Sequence, residues 1–173
     1  MITQSNFLQI FNRTLNFEGK CLEKVIGDDG GETFWGISRV FNSKWIGWPI
    51  VDINPNDPQL PLLVQNFYEI NYWEDNYFPS LNSLQLSAQL FDASVNLGSS
   101  RVAFAIQHIL KIKCDGIFGP FTINSCNKMD ENEIITDVLS WRKSHYIQRA
   151  QADPFIKKDL DGLLSRCQLA SFV

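Results

Sequence analysis

The chain is predicted to be mostly α-helical, with one small polar turn or β-hairpin. Three observations lead there. Apolar residues recur at three-and-four spacing along most segments. Cap-forming residues and glycines stand where those segments should begin and end. Only residues 25 to about 37 break the pattern, where Gly27-Asp28-Asp29-Gly30-Gly31-Glu32-Thr33 forms a Gly-rich polar run. With 173 residues, 45% of them apolar and 13% aromatic, the chain can bury a core, and disorder is excluded.

Taken in order, Phe7, Ile10, Phe11, Leu15 and Glu18 share one face of a first helix that Thr3 or Ser5 can cap. Glu18 thus continues an apolar stripe. A carboxyl held there loses hydration, which disfavours its charged form. It is either a proton donor poised for chemistry or a helix-end residue that falls on this face. A short helix is expected over residues 38–43. Residues 47–61 are rich in Pro, Asn and Asp and read as a loop. Asp57-Pro58 reads as the cap and first turn of a helix carrying Leu63, Phe67, Ile70 and Tyr77 near one face. Leu86, Leu90, Ala93 and Leu97 mark the next helix, which Gly98 ends. Ser99 caps another, containing Val102, Ala105, Ile106, Ile109 and Leu110. The turn at residues 115–122 leads into a short helix. A longer helix runs from Asp130 or Asn132 through Trp141, and a last one starts near Pro154.

The net charge of −4 argues against nucleic acid as the main partner. Cys21, Cys114, Cys126 and Cys167 form no CxxC pair, so they are expected to be buried reduced thiols and not a zinc site. His108 and His145 lack partners at metal-ligand spacing, and no metal or cofactor is expected. Residues 1–17 show no signal-peptide pattern, and no stretch is long and apolar enough to span a bilayer.

Five motifs carry a family resemblance. Glu18-Gly19-Lys20-Cys21, a loop, then Asp28-Asp29-Gly30-Gly31-Glu32-Thr33-Phe34-Trp35-Gly36-Ile37 resembles an opening of the form Glu-Gly-Gly-Tyr, a loop, Asp-Pro-Gly-Gly-x-Thr-x-x-Gly-Ile. Phe67-Tyr68-Glu69-Ile70-Asn71-Tyr72-Trp73 resembles Tyr-x-x-x-Tyr-Trp. Phe91-Asp92-Ala93-Ser94-Val95-Asn96-Leu97-Gly98 resembles Phe-Asp-x-x-Val-Asn-x-Gly. Asp115-Gly116-Ile117-Phe118-Gly119-Pro120-Phe121-Thr122 and Gly162-Leu163-Leu164-Ser165-Arg166 complete the order. Together they resemble glycoside hydrolase family 108, the bacterial and phage N-acetylmuramidases. Lys20 and Cys21 depart from the family's Gly and Tyr, and Leu163 from its Trp.

The resemblance implies a single lysozyme-like helical domain over residues 1–173, with a catalytic core at 1–110. Residues 111–173 form a C-terminal helical subregion resembling peptidoglycan-binding helices. It implies that Glu18 is the catalytic acid on the β-1,4 bond between N-acetylmuramic acid and N-acetylglucosamine. Asp28 matches the family's Asp, with Asp29 as rival, and Thr33 matches its Thr, which would hold the attacking water together with Asp28. Such a trio is expected to invert the anomeric carbon. Trp35, Tyr72, Trp73 and Asn96 are the candidate substrate contacts, with Tyr68 a further aromatic that could stack on a sugar. Asp92 is expected to order the helix bundle. The implied partner is the peptidoglycan glycan strand, acted on by a monomer that reaches the wall at lysis or through a secretion system. Two other readings stay open: a wall-binding module that cleaves poorly, and a secreted toxin whose cleft an immunity protein plugs.

Overall fold

The computed structural model describes residues 2–18, 22–24 and 31–168, and for Glu18, Glu23, Lys24 and Phe155 the backbone alone. The fold is mostly α, as the periodicity predicts. The chain divides into two compact units, one formed by residues 7–71 and the other by residues 1–6 with residue 72 onward.

Helix α1 spans Gln4–Glu18. Thr3 caps it: the Asn6 amide donates to Thr3 Oγ1 at 3.3 Å, and Thr3 N donates back to Asn6 Oδ1 at 2.9 Å. Phe7, Ile10, Phe11, Thr14 and Leu15 are buried along one face. A three-stranded antiparallel sheet follows, in the order β1 (Leu22–Lys24), β2 (Glu32–Phe34), β3 (Ile37–Ser38). Phe34 stands opposite Leu22 and Ile37, while Thr33 stands opposite Glu23 and Ser38. Because strand side chains alternate, buried Phe34 and Ile37 face the core, and Thr33 and Ser38 face the other side.

The expected helix over residues 38–43 is a succession of turns. The Asn42 carbonyl accepts from both Trp45 N, at 3.0 Å, and the Trp48 indole N–H, at 2.8 Å. With both lone pairs used, it cannot accept the bond from residue 46 that would propagate a helix. The expected loop at 47–61 in turn contains helix α2, Trp48–Ile53, started by Pro49 in its first turn. Helix α3 spans Leu60–Tyr68, with its N-cap at Gln59 and not at Asp57 as expected. Asp57 instead closes a turn, accepting from Gln59 N at 2.9 Å.

The buried face of α3 is Leu60, Val64 and Tyr68, not the face of Leu63, Phe67 and Ile70. A π-helical segment, Glu69–Glu74, continues the chain. Its wider turn shifts the phase, so Trp73 is buried while Ile70 and Tyr77 are exposed. A 3₁₀ turn, Phe78–Ser80, precedes α4, Leu84–Leu97, which Ser83 caps through a bond from Leu86 N at 3.0 Å. Helix α4 is buried on nearly all sides and ends at Gly98, whose φ of +88 suits a residue without a Cβ.

Helices α5 (Ser99–Ile109), α6 (Pro120–Cys126), α7 (Glu131–Ala152), α8 (Pro154–Lys158) and α9 (Leu160–Arg166) complete the chain. Asp130 caps α7, accepting from Asn132 N and Glu133 N. That helix runs well past Trp141, where it was expected to end. Its buried stripe changes from Ile134, Ile135 and Val138 to Arg142 and Tyr146, so the apolar period disappears while the helix continues.

The turn at residues 115–122 is organised from within. Gln107 Nε2 donates to Asp115 Oδ1 at 2.7 Å, to the Ile117 carbonyl at 3.0 Å and to Thr122 Oγ1 at 3.1 Å. Gln107 Oε1 accepts from the amides of Asp115 and Gly116, both at 2.9 Å. This accounts for the motif structurally, as its glycines and Pro120 suggest.

Candidate active site

In the unit of residues 7–71, Glu18 is the last residue of α1, three positions beyond buried Leu15. Its side chain, and Asp28 and Asp29 entirely, lie outside the described residues, as do Gly19, Lys20 and Cys21. Thr33 is the central residue of the central strand, half-buried, on the face away from Phe34. Glu32 does not share its surroundings. It pairs with Arg39 at 2.8 Å, and Arg39 bridges onward to Asp52 while lying over the Trp48 ring at 4.3 Å.

Trp35 and Gly36 form the two-residue turn between β2 and β3, both at positive φ, +48 and +79. Positive φ at both central positions is the pattern of a type I′ hairpin turn. It is costly for a residue as bulky as Trp. The Tyr68 hydroxyl donates to the Trp35 carbonyl at 2.9 Å and fixes the turn from below. Tyr68 is itself buried, so this aromatic supports the turn and does not present a ring to a ligand. Trp35 stacks on Phe34 and stays half-exposed, lining an open groove of about 370 Å³ with Leu22, Asn56, Asp57 and Pro58. Asn56 and Asp57 add polar groups beside a ring. In the sequence, these two residues read only as part of a loop and as a helix cap.

In the unit containing residue 72 onward, Tyr72 is half-buried within the π-helical segment. Trp73 is 3% exposed, edge-on to Phe78 and Phe91, and its ring belongs to the core. An expectation of sugar stacking is not met by a ring in that position. Asn96 is half-buried and accepts from the Tyr146 hydroxyl at 2.9 Å. Asp92 is 1% exposed and joined to Arg142 and Arg166, which makes it an organiser of the helices. Nothing in the sequence around Tyr146 marks it as a partner of Asn96. The available signal was its spacing of four from Arg142 on one helix face.

The sequence matches the family described as Glycosyl hydrolase 108 over residues 11–98, about half of the chain. The chain belongs to glycosyl hydrolase family 108. That membership makes it a glycosidase of the peptidoglycan-hydrolase class. The matched stretch encloses Glu18, Asp28, Thr33, Trp35, Tyr72, Trp73 and Asn96. Among solved structures, the chain is similar to Brucella abortus SagA, with a TM-score of 0.73 and 19% identity over 99% of this chain and 98% of that one. At that identity the likeness speaks for a shared fold, and the mostly α, lysozyme-like architecture holds. No curated protein matches the chain. Among the described residues, no group of three or more His, Cys, Asp or Glu is arranged to hold a metal ion, and no helix is long and apolar enough to cross a membrane.

Proposed function

We propose that this family 108 glycosidase is an N-acetylmuramidase that hydrolyses the β-1,4 bond between N-acetylmuramic acid and N-acetylglucosamine. The observation that carries the proposal is the family match over residues 11–98, which encloses the whole acid–turn–Thr motif. Glu18 protonates the glycosidic oxygen from the end of α1. Asp28 takes the proton of the attacking water, which Thr33 helps to hold. A pair separated by a water inverts the anomeric centre, with its carboxyls about 6.5–9.5 Å apart. Trp35, Tyr72 and Asn96 serve as glycan contacts. The strained Trp35 turn supports a binding role, because such backbone persists only where its surroundings hold it in place. Residues 111–173 add wall-binding surface to the same domain.

The test is release of reducing ends from purified peptidoglycan by the wild type, Glu18→Gln and Thr33→Ala, with circular dichroism checking the fold. Glu18→Gln keeps the shape and removes the proton donor, so activity should fall by at least about a hundredfold. Full activity in folded Glu18→Gln would remove Glu18 as the acid. Tight wall binding without turnover in the wild type would favour the binding-module reading. Anomer-resolved NMR of the first product decides between inversion and retention.

A further inference from the structure

The Asn96 side chain is the outer end of a buried hydrogen-bond relay. Arg142 Nη2 donates to Asp92 Oδ2 at 2.5 Å and to the Tyr146 hydroxyl at 3.2 Å, and Tyr146 donates to Asn96 Oδ1 at 2.9 Å. Arg142 Nη1 also donates to Gln89 Oε1 at 2.6 Å. Asp92, Arg142 and Tyr146 are all fully or almost fully buried.

The relay has a fixed direction. A guanidinium has five N–H donors and no acceptor, so the Tyr146 oxygen must accept from Arg142. The single phenolic proton is then left for Asn96. Only the carbonyl end of an amide can accept it, so Oδ1 faces inward. Nδ2 remains, and among the described residues it has no hydrogen-bond partner, although Asn96 is only half-buried and solvent reaches it. Left to itself, an Asn amide can exchange its O and N ends at little cost. Burial pushes the Tyr146 phenol above its ordinary range, which keeps the directing proton in place at neutral pH.

We propose that Tyr146, anchored by Arg142 and Asp92, is a positioning residue that locks the Asn96 amide N–H₂-outward, so that Asn96 binds substrate as a donor to a carbonyl such as the N-acetyl oxygen of an amino sugar. This rests on the reading of Asn96 as a glycan contact. It assigns that contact a polarity and names the residue that sets it.

Binding of a soluble peptidoglycan tetrasaccharide, followed by calorimetry in a Glu18→Gln background so that it is not consumed, tests the relay. Asn96→Ala should weaken binding about tenfold, the loss expected for one buried hydrogen bond. Tyr146→Phe, which keeps the ring, should weaken it several-fold. The double variant should bind no more weakly than Asn96→Ala, a non-additivity that a general loss of stability would not produce. Asn96→Asp retains an acceptor for Tyr146 but lacks the outward donor, and should match Asn96→Ala. Tyr146→Phe with parental affinity, multiplying effects in the double variant, or parental affinity in Asn96→Asp would each overturn the relay. Parental affinity in Asn96→Ala would instead remove Asn96 from the glycan, and no binding by the parent would count against the muramidase reading itself.

Discussion

Arg166 places its Nη2 2.9 Å from Asp92 Oδ1, although the two residues lie 74 positions apart, and both side chains are buried. The same carboxylate takes Arg142 on its other oxygen. One buried carboxylate thus pairs with two guanidiniums, from α7 and α9. Removing it takes the counter-charge from fully buried Arg142 and an ion-pair partner from Arg166, whereas removing Arg166 leaves the Asp92–Arg142 pair intact. Asp92→Ala should therefore cost about 3–5 kcal/mol of unfolding free energy, and Arg166→Ala clearly less. Urea titration of both variants measures the order. Equal losses would mean that the carboxylate is not the hub.

The Trp35 turn separates ring from backbone. Trp35→Ala and Trp35→Gly both delete the indole, but only Gly adopts a φ of +48 without penalty. The Gly variant should be about 1 kcal/mol more stable than the Ala variant. Both should raise KM to a similar extent if the ring contacts glycan. Thermal melts and steady-state kinetics on the same samples check the two halves independently.

His145 should make stability depend on pH. Burial, helped by the nearby Arg101 and Arg149 charges, holds its pKa below the ordinary 6.5, and its buried Nε2 has no hydrogen-bond partner. The folded chain therefore binds this proton less tightly than the unfolded chain does. The His145 contribution is fully present above the ordinary value. It is lost as pH falls below 6.5 toward the depressed folded value. The melting temperature of the wild type relative to His145→Gln should drop between about pH 7.5 and about pH 5.5. A difference that does not change with pH would refute the assignment.

The cysteines should differ in reactivity. Cys114 is half-buried, while burial pushes the Cys126 thiol up to about 12 and raises Cys167 as well. Since the thiolate is the reacting species, a maleimide applied to the native protein should label Cys114 well before Cys126 and Cys167. Peptide mass spectrometry gives the order. Labelling of Cys126 at the same rate would show that its helix opens readily.

The stripe of α1, the stop at Gly98, the Asp130 cap and the glycine turn at residues 115–122 were legible because each depends on local spacing alone. Helix α2 was hidden by a proline that reads as a loop signal, though it starts a helix. The second half of α7 was hidden because its buried face is polar, and Arg142 and Tyr146 on a stripe look like solvent residues until Asp92 and Asn96, each 50 positions away, meet them in turn. The phase of Trp73 depended on a π-helical turn with no periodic signature. Within the candidate site, the hairpin carrying Thr33 and Trp35 was readable from its residues. The support of Trp35 by Tyr68 arises where α3 meets the hairpin turn, and that of Asn96 by Tyr146 where α4 meets α7, and no spacing rule encodes either.

A single amide, that of Gln107, sets the shape of the turn at residues 115–122 from the inside, while Ile117 and Phe121 stand outward at 66% and 69% exposure. Scaffold and display are thereby uncoupled at this place. The two outward positions can be rewritten, by natural drift or by an engineer grafting a new adhesive patch, without disturbing the geometry that carries them. Altering Gln107 would instead scramble the frame while leaving the outward face chemically the same.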